Sequence, residues 1–178
     1  MSPGWWSPGA MPNERDAARV AEACKLAPVT TALLLVDHGS RRAEANEQLR
    51  CMADLVRHLA GRDAIVVHAH IELAPPDMAE GFATCAAAGA THVVVVPYFL
   101  FAGRHATEDI PRLARDAAEQ VGVSHEVTGP LGVHAAIAGV VLERAGLNPR
   151  RSLPDDAPAC SGSVEGCQAP YCSARHSA

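Results

Sequence analysis

Residues 31–36 read TALLLV and lead directly into the sequence DHGS. Two further apolar segments follow, AIVVHA at 64–69 and HVVVV at 92–96. All three are rich in Leu, Ile and Val and lack the alternation of a strand that has one face in water, which is typical of strands buried on both faces. The stretches between them have helical spacing and composition. This pattern predicts a parallel β-sheet built from strand–helix units.

The predicted strands and helices alternate along the chain. In order, they are strand 31–37, helix 43–60, strand 64–70, helix 76–88, strand 92–97, helix 107–121, strand 123–128 and helix 133–145. Right-handed crossovers between parallel strands favour the strand order 2-1-3-4. We therefore expect an α/β fold in which a four-stranded parallel sheet is flanked by helices in a single lobe. In that order, the loops after the first three strands are neighbours at the carboxyl edge of the sheet.

Length and composition limit the classes of protein to which the chain can belong. Its 178 residues suit one domain with extensions, and 48% hydrophobic residues can fill a core. The net charge of −5 argues against a nucleic-acid partner, which usually needs a basic face. No apolar run approaches the ~20 residues that cross a bilayer, and the first residues lack the pattern of a secretory signal. With scattered cysteines that we expect to be reduced, the sequence predicts a cytoplasmic protein without membrane association.

Three segments are predicted along the chain. Residues 1–28 are a leader rich in Pro and Gly, which we expect to be flexible apart from a short helix after Asn13. Residues 29–147 form the α/β domain, and residues 148–178 form a polar linker and a tail. The tail holds three cysteines and one histidine, Cys160, Cys167, Cys172 and His176. These four could hold zinc or share an iron–sulfur cluster, but their spacing matches no standard motif, and incidental thiols in a disordered tail are an equal alternative.

His38, Glu72 and His105 each follow a predicted buried strand. Because ligands of such sheets bind at the carboxyl ends of the strands, we expect these three side chains to approach one another. Two imidazoles and one carboxylate are typical of a divalent-metal site with open coordination positions. His68 and His70 share strand parity with Glu72 and could extend that site if the strand runs that far, although two histidines on one strand face are more often incidental. The sequence therefore predicts His38, Glu72 and His105 as metal ligands.

Each of these residues also has a structural interpretation. His38 and Gly39 could belong to a polar strand–helix turn that Ser40 caps. His105 could be a loop histidine near a helix N-terminus, and Glu72 could be a solvated carboxylate where a helix start favours negative charge. The residue pattern alone leaves both interpretations open.

Ser40, Arg41, Arg42 and Arg104 lie around the same predicted edge of the sheet. Ser40 offers a hydroxyl and a backbone amide near a helix start. Guanidinium groups bind carboxylates through paired hydrogen bonds, so three arginines at this edge would suit an anionic ligand with several carboxylates. Ordinary surface arginines are the alternative. We predict these four residues as ligand-binding residues around the metal site.

Three stretches together resemble the small sirohydrochlorin chelatases: LLLVDHGSRRAEANEQL at 33–49, IELAPPDMAEG at 71–81 and GATHVVVVPYFLFAGRHATEDIP at 89–111. The resemblance covers roughly residues 31–145. Its specific motifs are HGSR with Asn46 downstream, and PYFL-x-x-G-x-H-x-x-x-D-I-P. The expected lobe is accordingly a chelatase-like one.

The resemblance implies that the protein inserts cobalt or iron, or nickel as in archaeal relatives, into sirohydrochlorin. It implies that His38 and His105 bind the metal and act in catalysis, together with Glu72. The arginines would meet the carboxylates of the substrate, and the apolar side chains at 99–101 would form a wall for the macrocycle. Since one lobe offers only one wall for so large a ligand, we expect a homodimer with the cleft between its subunits.

Two residues depart from the family pattern. Asp37 stands where the family usually has a small residue, and it could orient the neighbouring imidazole or add a metal ligand. His70 stands where an aromatic or apolar residue is more usual. Neither departure removes a catalytic group, but both leave the metal preference open.

Two other classes of function compete with the enzyme. A delivery protein would keep the histidines as ligands for a metal or a tetrapyrrole and would catalyse nothing. A flavodoxin-like nucleotide binder would share the fold, but no G-x-G-x-x-G motif or other phosphate-binding glycine run follows the first strand. The sequence therefore favours a chelatase, with a non-catalytic delivery protein as the alternative.

Overall fold

The computed structural model describes residues 29–149. Its strands are β1 Thr31–Asp37, β2 Ile65–His70, β3 His92–Pro97 and β4 Ser124–Val127. Its helices are α1 Ala43–Ala60, α2 Met78–Ala87, α3 Ile110–Val121 and α4 Ala135–Arg144. A π-helical turn, His105–Asp109, leads directly into α3. The predicted leader helix after Asn13 and the cysteine-bearing tail lie outside the described residues.

The four strands form one parallel sheet in the order β2-β1-β3-β4. This confirms the predicted fold class and strand order. At the carboxyl edge, Asp37 at the end of β1 is in register with His70 at the end of β2. On the other side of β1, Val36 is in register with Pro97 of β3. The loops after β1, β2 and β3 therefore leave the sheet side by side.

Three predicted elements agree with the structure to the residue, and the others differ at their ends. The strand 31–37, the helix 43–60 and the strand 92–97 have the predicted bounds. The second helix begins at Met78 rather than at 76, because Asp77 caps it: the Asp77 carboxylate accepts from Glu80 N, and the Glu80 carboxylate accepts from Asp77 N, both at 2.9 Å.

The third and fourth helices also begin later than predicted. The third begins at Ile110 rather than at 107, because the chain first makes the π-helical turn. The fourth begins at Ala135 rather than at 133, where His134 Nδ1 accepts a hydrogen bond from Ala136 N at 3.1 Å. Among the described residues, no helix is long and apolar enough to cross a membrane.

Apolar side chains bury both faces of the sheet. The face under α2 and α3 holds the larger cluster, centred on Leu34, Phe82, Val95 and Ile110. The face under α1 holds a smaller one, Leu35, Leu49, Ala53 and Val66. Each fully buried Leu, Val or Phe contributes about 1.5–3 kcal/mol relative to an exposed one, so the two clusters hold the sheet rigid beneath its carboxyl edge.

Cys85 on α2 is completely buried in the larger cluster, and burial raises the pKa of its thiol to about 11. Because the thiolate is the nucleophile, we expect Cys85 to remain unlabelled by iodoacetamide at pH 8 in the native protein. Cys51 on α1 is exposed and is the matched control. Peptide mapping by mass spectrometry should find Cys51 modified and Cys85 modified only after unfolding. Labelling of both at equal rates would contradict the described packing.

Candidate metal centre

The three loops at the carboxyl edge bring together His38, Glu72 and His105. One ligand atom from each of these side chains lies within 4.8 Å of the other two. His38 Nε2 lies 2.9 Å from Glu72 Oε1. The imidazole rings of His38 and His105 lie edge to face, with centroids 4.8 Å apart. The strand order thus brings three residues that are far apart in sequence into one cluster.

The cluster is open to solvent. The His38 side chain is 41% exposed and the Glu72 side chain 50% exposed. An exposed polar contact of this kind contributes only about 0–1 kcal/mol to stability, so the fold does not depend on it. Two imidazoles and one carboxylate suit divalent iron, cobalt, nickel or zinc, and three protein ligands leave coordination positions for other groups.

Gly39 sets the shape of the turn that carries His38. Its φ is +81°, and a Cβ atom at this position would lie 2.1 Å from the carbonyl oxygen of Glu72. Only glycine permits both this backbone conformation and this close approach. Gly39 therefore packs directly against the backbone of the loop that carries Glu72.

Ser40 and Asn46 hold the other end of the same turn. Ser40 N donates to Asn46 Oδ1 at 2.8 Å, and Asn46 Nδ2 donates back to the carbonyl oxygen of Ser40 at 2.8 Å. The Ser40 hydroxyl accepts from Arg42 N at 3.1 Å. These bonds tie the turn to the first part of α1, and they engage the hydroxyl that the sequence predicted as a ligand-binding group.

Backbone hydrogen bonds join the loops that carry His38 and Glu72. Ile71 N donates to the carbonyl oxygen of Asp37 at 2.9 Å, and Glu72 N donates to that of His38 at 3.2 Å. The pairing between β1 and β2 thus continues past the ends of both strands. It places the Glu72 carboxylate beside the His38 imidazole.

His105 begins the π-helical turn, and Asp109 ends it. Asp109 Oδ2 lies 2.9 Å from His105 Nδ1, although within the described residues this nitrogen has no aligned hydrogen-bond partner. A carboxylate beside one ring nitrogen leaves the other nitrogen for a metal. Sequence reasoning missed Asp109, and the signal that could have found it is the i, i+4 spacing of a histidine and an aspartate at a helix start.

The structure does not bring His68 and His70 into the cluster, because β2 does not run as far as Glu72, the condition for extending the metal site along this strand. β2 ends at His70, whose Nδ1 contacts Asp37 Oδ1 beneath the loops. His68 lies on the same face of β2, half-buried, and its pKa is lowered mainly by burial. Asp37 likewise contacts the imidazole of His70 rather than joining the metal cluster.

Arginine and apolar side chains lie on the loops that carry the cluster. Arg41 and Arg42 are exposed on the turn before α1, and the Arg104 side chain is 74% exposed beside His105. Leu100 and Phe101 are exposed on the loop after β3. The loops at this edge therefore carry metal ligands, positive charge and accessible apolar side chains.

Comparison with known proteins identifies one family. The model of the CbiX family matches residues 32–146. The chain is 44% identical over 113 residues to the chloroplastic sirohydrochlorin ferrochelatase of Arabidopsis thaliana, which covers 63% of this chain and 50% of the relative. It is 30% identical to a sirohydrochlorin cobaltochelatase of Methanococcoides burtonii, with 64% of this chain and 92% of the relative covered.

The chain spans about half the length of several curated relatives, including 42% of a sirohydrochlorin ferrochelatase of Priestia megaterium. Known structures show the same fold. A CbiX protein from Marinobacter aquaeolei aligns with a TM-score of 0.56 and 28% identity, covering 66% of this chain and 98% of that one. The sirohydrochlorin chelatase SirB from Bacillus subtilis in complex with cobalt aligns with a TM-score of 0.60 and 29% identity, covering 66% and 50%.

Proposed function

The chain belongs to the CbiX family, and from this premise we propose that it inserts a divalent metal, cobalt or iron, into sirohydrochlorin. The observation that carries the proposal is the convergence of His38, Glu72 and His105 at an open edge of the sheet. Relatives named as sirohydrochlorin ferrochelatases and cobaltochelatases support both the tetrapyrrole and the two metals. Structures of the related SirB hold cobalt or Fe³⁺.

Insertion requires the metal to shed water and two pyrrole N–H protons to leave the macrocycle. His38 and His105 hold the incoming metal, which imidazole nitrogens bind well. As the metal passes to the ring nitrogens, the two freed imidazoles each accept one of the displaced pyrrole protons, because neutral imidazole is a base. Glu72, in contact with His38, completes the ligand set or carries the proton onward to solvent.

The surroundings of the cluster suit the substrate. Leu100 and Phe101 offer exposed apolar surface to one side of the macrocycle, and the preceding Phe99 packs against the core. Arg41, Arg42 and Arg104 meet the peripheral carboxylates, since guanidinium groups pair well with carboxylates. Ser40 contributes by shaping the turn that carries His38.

An anaerobic absorbance assay tests the function. Purified protein is mixed with excess sirohydrochlorin and with Co²⁺, Fe²⁺ or Ni²⁺ separately, and the spectrum of the metal-bound product is followed. We expect many turnovers per protein molecule with cobalt or iron, at a rate well above that of the protein-free reaction. A rate equal to the protein-free reaction with every metal would refute the proposal, and stoichiometric metal binding without turnover would favour the delivery protein.

We also propose that the active form is a homodimer. α4 buries none of its residues, although its sequence AAIAGVVLER is largely apolar. Large apolar side chains are exposed on and around it, Val133, Val140, Val141 and Leu147. A second copy would cover this surface and supply the second wall that a single lobe lacks. A two-fold axis makes such an interface isologous, and a stable one buries about 1,200–2,000 Å².

Light scattering should therefore give a mass of about twice 18.6 kDa. Val141→Asp, which places a charge in the centre of the exposed α4 surface, should shift the protein to monomer and lower its insertion rate. Leu59→Asp, at a somewhat more exposed position on α1, is the matched control and should remain dimeric. A monomer that inserts metal at full rate would refute the dimer.

A further inference from the structure

His70 is the one polar residue that the described part of the chain buries almost completely, with 1% of its surface exposed. It ends β2 opposite Asp37, which ends β1. Both side chains lie on the sheet face that packs against α1, the face that also carries Leu35 and Val66. An imidazole in this position needs a specific reason, because burying a polar ring without a partner costs about 1–3 kcal/mol.

The partner is Asp37. His70 Nδ1 contacts Asp37 Oδ1, so the buried ring donates a hydrogen bond to the carboxylate. The same oxygen accepts a hydrogen bond from Gly39 N at 2.9 Å. One carboxylate oxygen therefore joins the end of β2 to the peptide that follows His38.

This connection adds to the backbone bonds between the two loops. Six residue pairs already hold β1 against β2, and the bonds to the carbonyl oxygens of Asp37 and His38 extend that ladder. The strands do not need a further buried polar pair to stay in register. What the pair adds is a fixed orientation for the His38–Gly39 peptide relative to the strand that leads to Glu72.

We propose that Asp37 and His70 are positioning residues that fix the His38 imidazole relative to the Glu72 carboxylate, and so set the affinity of the cluster for metal. For its effect on insertion this inference rests on the proposed function, whereas its effect on metal binding does not. Groups that orient a metal ligand typically change metal affinity by about 10–100-fold when they are removed.

The test measures Co²⁺ binding to the full chain by titration calorimetry, without sirohydrochlorin. The binding step that is absent from His38→Ala reports on the cluster. His70→Leu removes the donor to Asp37 and should weaken this step by about 10–100-fold. His70→Asn places an amide N–H where Nδ1 stood and should bind Co²⁺ within about threefold of the unaltered protein.

The matched control is His92→Leu. His92 lies at the amino ends of the strands, opposite the cluster, and its Nδ1 lies 2.9 Å from Ser124 Oγ. Its replacement should therefore leave Co²⁺ affinity unchanged. Equal affinity in folded His70→Leu and the unaltered protein would overturn the inference. Equal loss in His70→Asn and His70→Leu would overturn it as well, because the donor would then not matter.

If circular dichroism shows that His70→Leu does not fold, the double variant Asp37→Ala/His70→Leu takes its place, since it leaves no unpaired carboxylate. The double variant also lacks the acceptor for Gly39 N and should show the same loss of affinity. Failure of both variants to fold would overturn the inference, because the pair would then hold the fold rather than the ligand. Loss of Co²⁺ affinity in a protein that never inserts metal would uphold the positioning role and refute the proposed function.

Discussion

Replacing His38 or His105 by alanine is expected to abolish metal insertion while the domain remains folded. Both residues lie past strand ends and outside the two apolar clusters, so their loss removes little packing. Each supplies one imidazole to the cluster, and loss of a ligand that also accepts a proton should lower the turnover rate by about 100-fold or more. Turnover in the anaerobic assay and far-ultraviolet circular dichroism should be measured on each variant.

His92→Ala is the control for the removal of an imidazole. His92 begins β3 at the amino end of the sheet, away from the cluster. The His92→Ala variant should therefore insert metal at the normal rate. Near-normal turnover in folded His38→Ala or His105→Ala would remove that residue from the mechanism. Loss of turnover in all three variants would mean that the assay responds to something other than the cluster.

Gly39→Ala is expected to disrupt the site almost as severely. A non-glycine residue at φ +81° is strained by about 1–3 kcal/mol, and its Cβ would lie 2.1 Å from the Glu72 carbonyl oxygen. The Glu72 loop must move away from His38 to relieve this contact. A displacement of about 1 Å at a catalytic group can cost about 100-fold in rate, so insertion should fall by that order.

Gly122→Ala separates the effect of backbone strain from the effect of the contact with Glu72. Gly122 has a similar φ of +71° at the end of α3, and a Cβ there meets nothing within 4 Å. Both variants should lose stability in thermal unfolding, but only Gly39→Ala should lose insertion. Equal activity of the two variants would show that the contact between Gly39 and the Glu72 backbone does not matter for the site.

The fold was predictable because the buried strands can be recognised from the sequence of each segment alone. The segments at 32–36 and 93–96 are unbroken aliphatic runs, which are typical of strands buried on both faces. Connection handedness then restricts the sheet to few orders. Since the order decides which loops are neighbours, it also predicted the convergence of His38, Glu72 and His105.

The contacts around the cluster were not predictable in the same way. The Asp37–His70 pair joins residues 33 positions apart, and neither strand pattern shows that the two side chains meet. Strand parity placed His70 on the same face as Glu72, but β2 ends at His70, and the chain turns before Glu72. The π-helical turn brings Asp109 to His105, whereas a regular helix beginning at 107 would have left His105 in the preceding loop.

Anomalous diffraction above the cobalt K edge, from crystals of the full chain grown with Co²⁺, tests the central claim most directly. We predict one strong peak at the carboxyl edge of the sheet, within bonding distance of a nitrogen of His38, a nitrogen of His105 and an oxygen of Glu72. The protein used for the crystals should insert cobalt into sirohydrochlorin in the anaerobic assay. Cobalt bound elsewhere in the chain, with no peak among these three side chains in a protein that inserts the metal, would contradict the account.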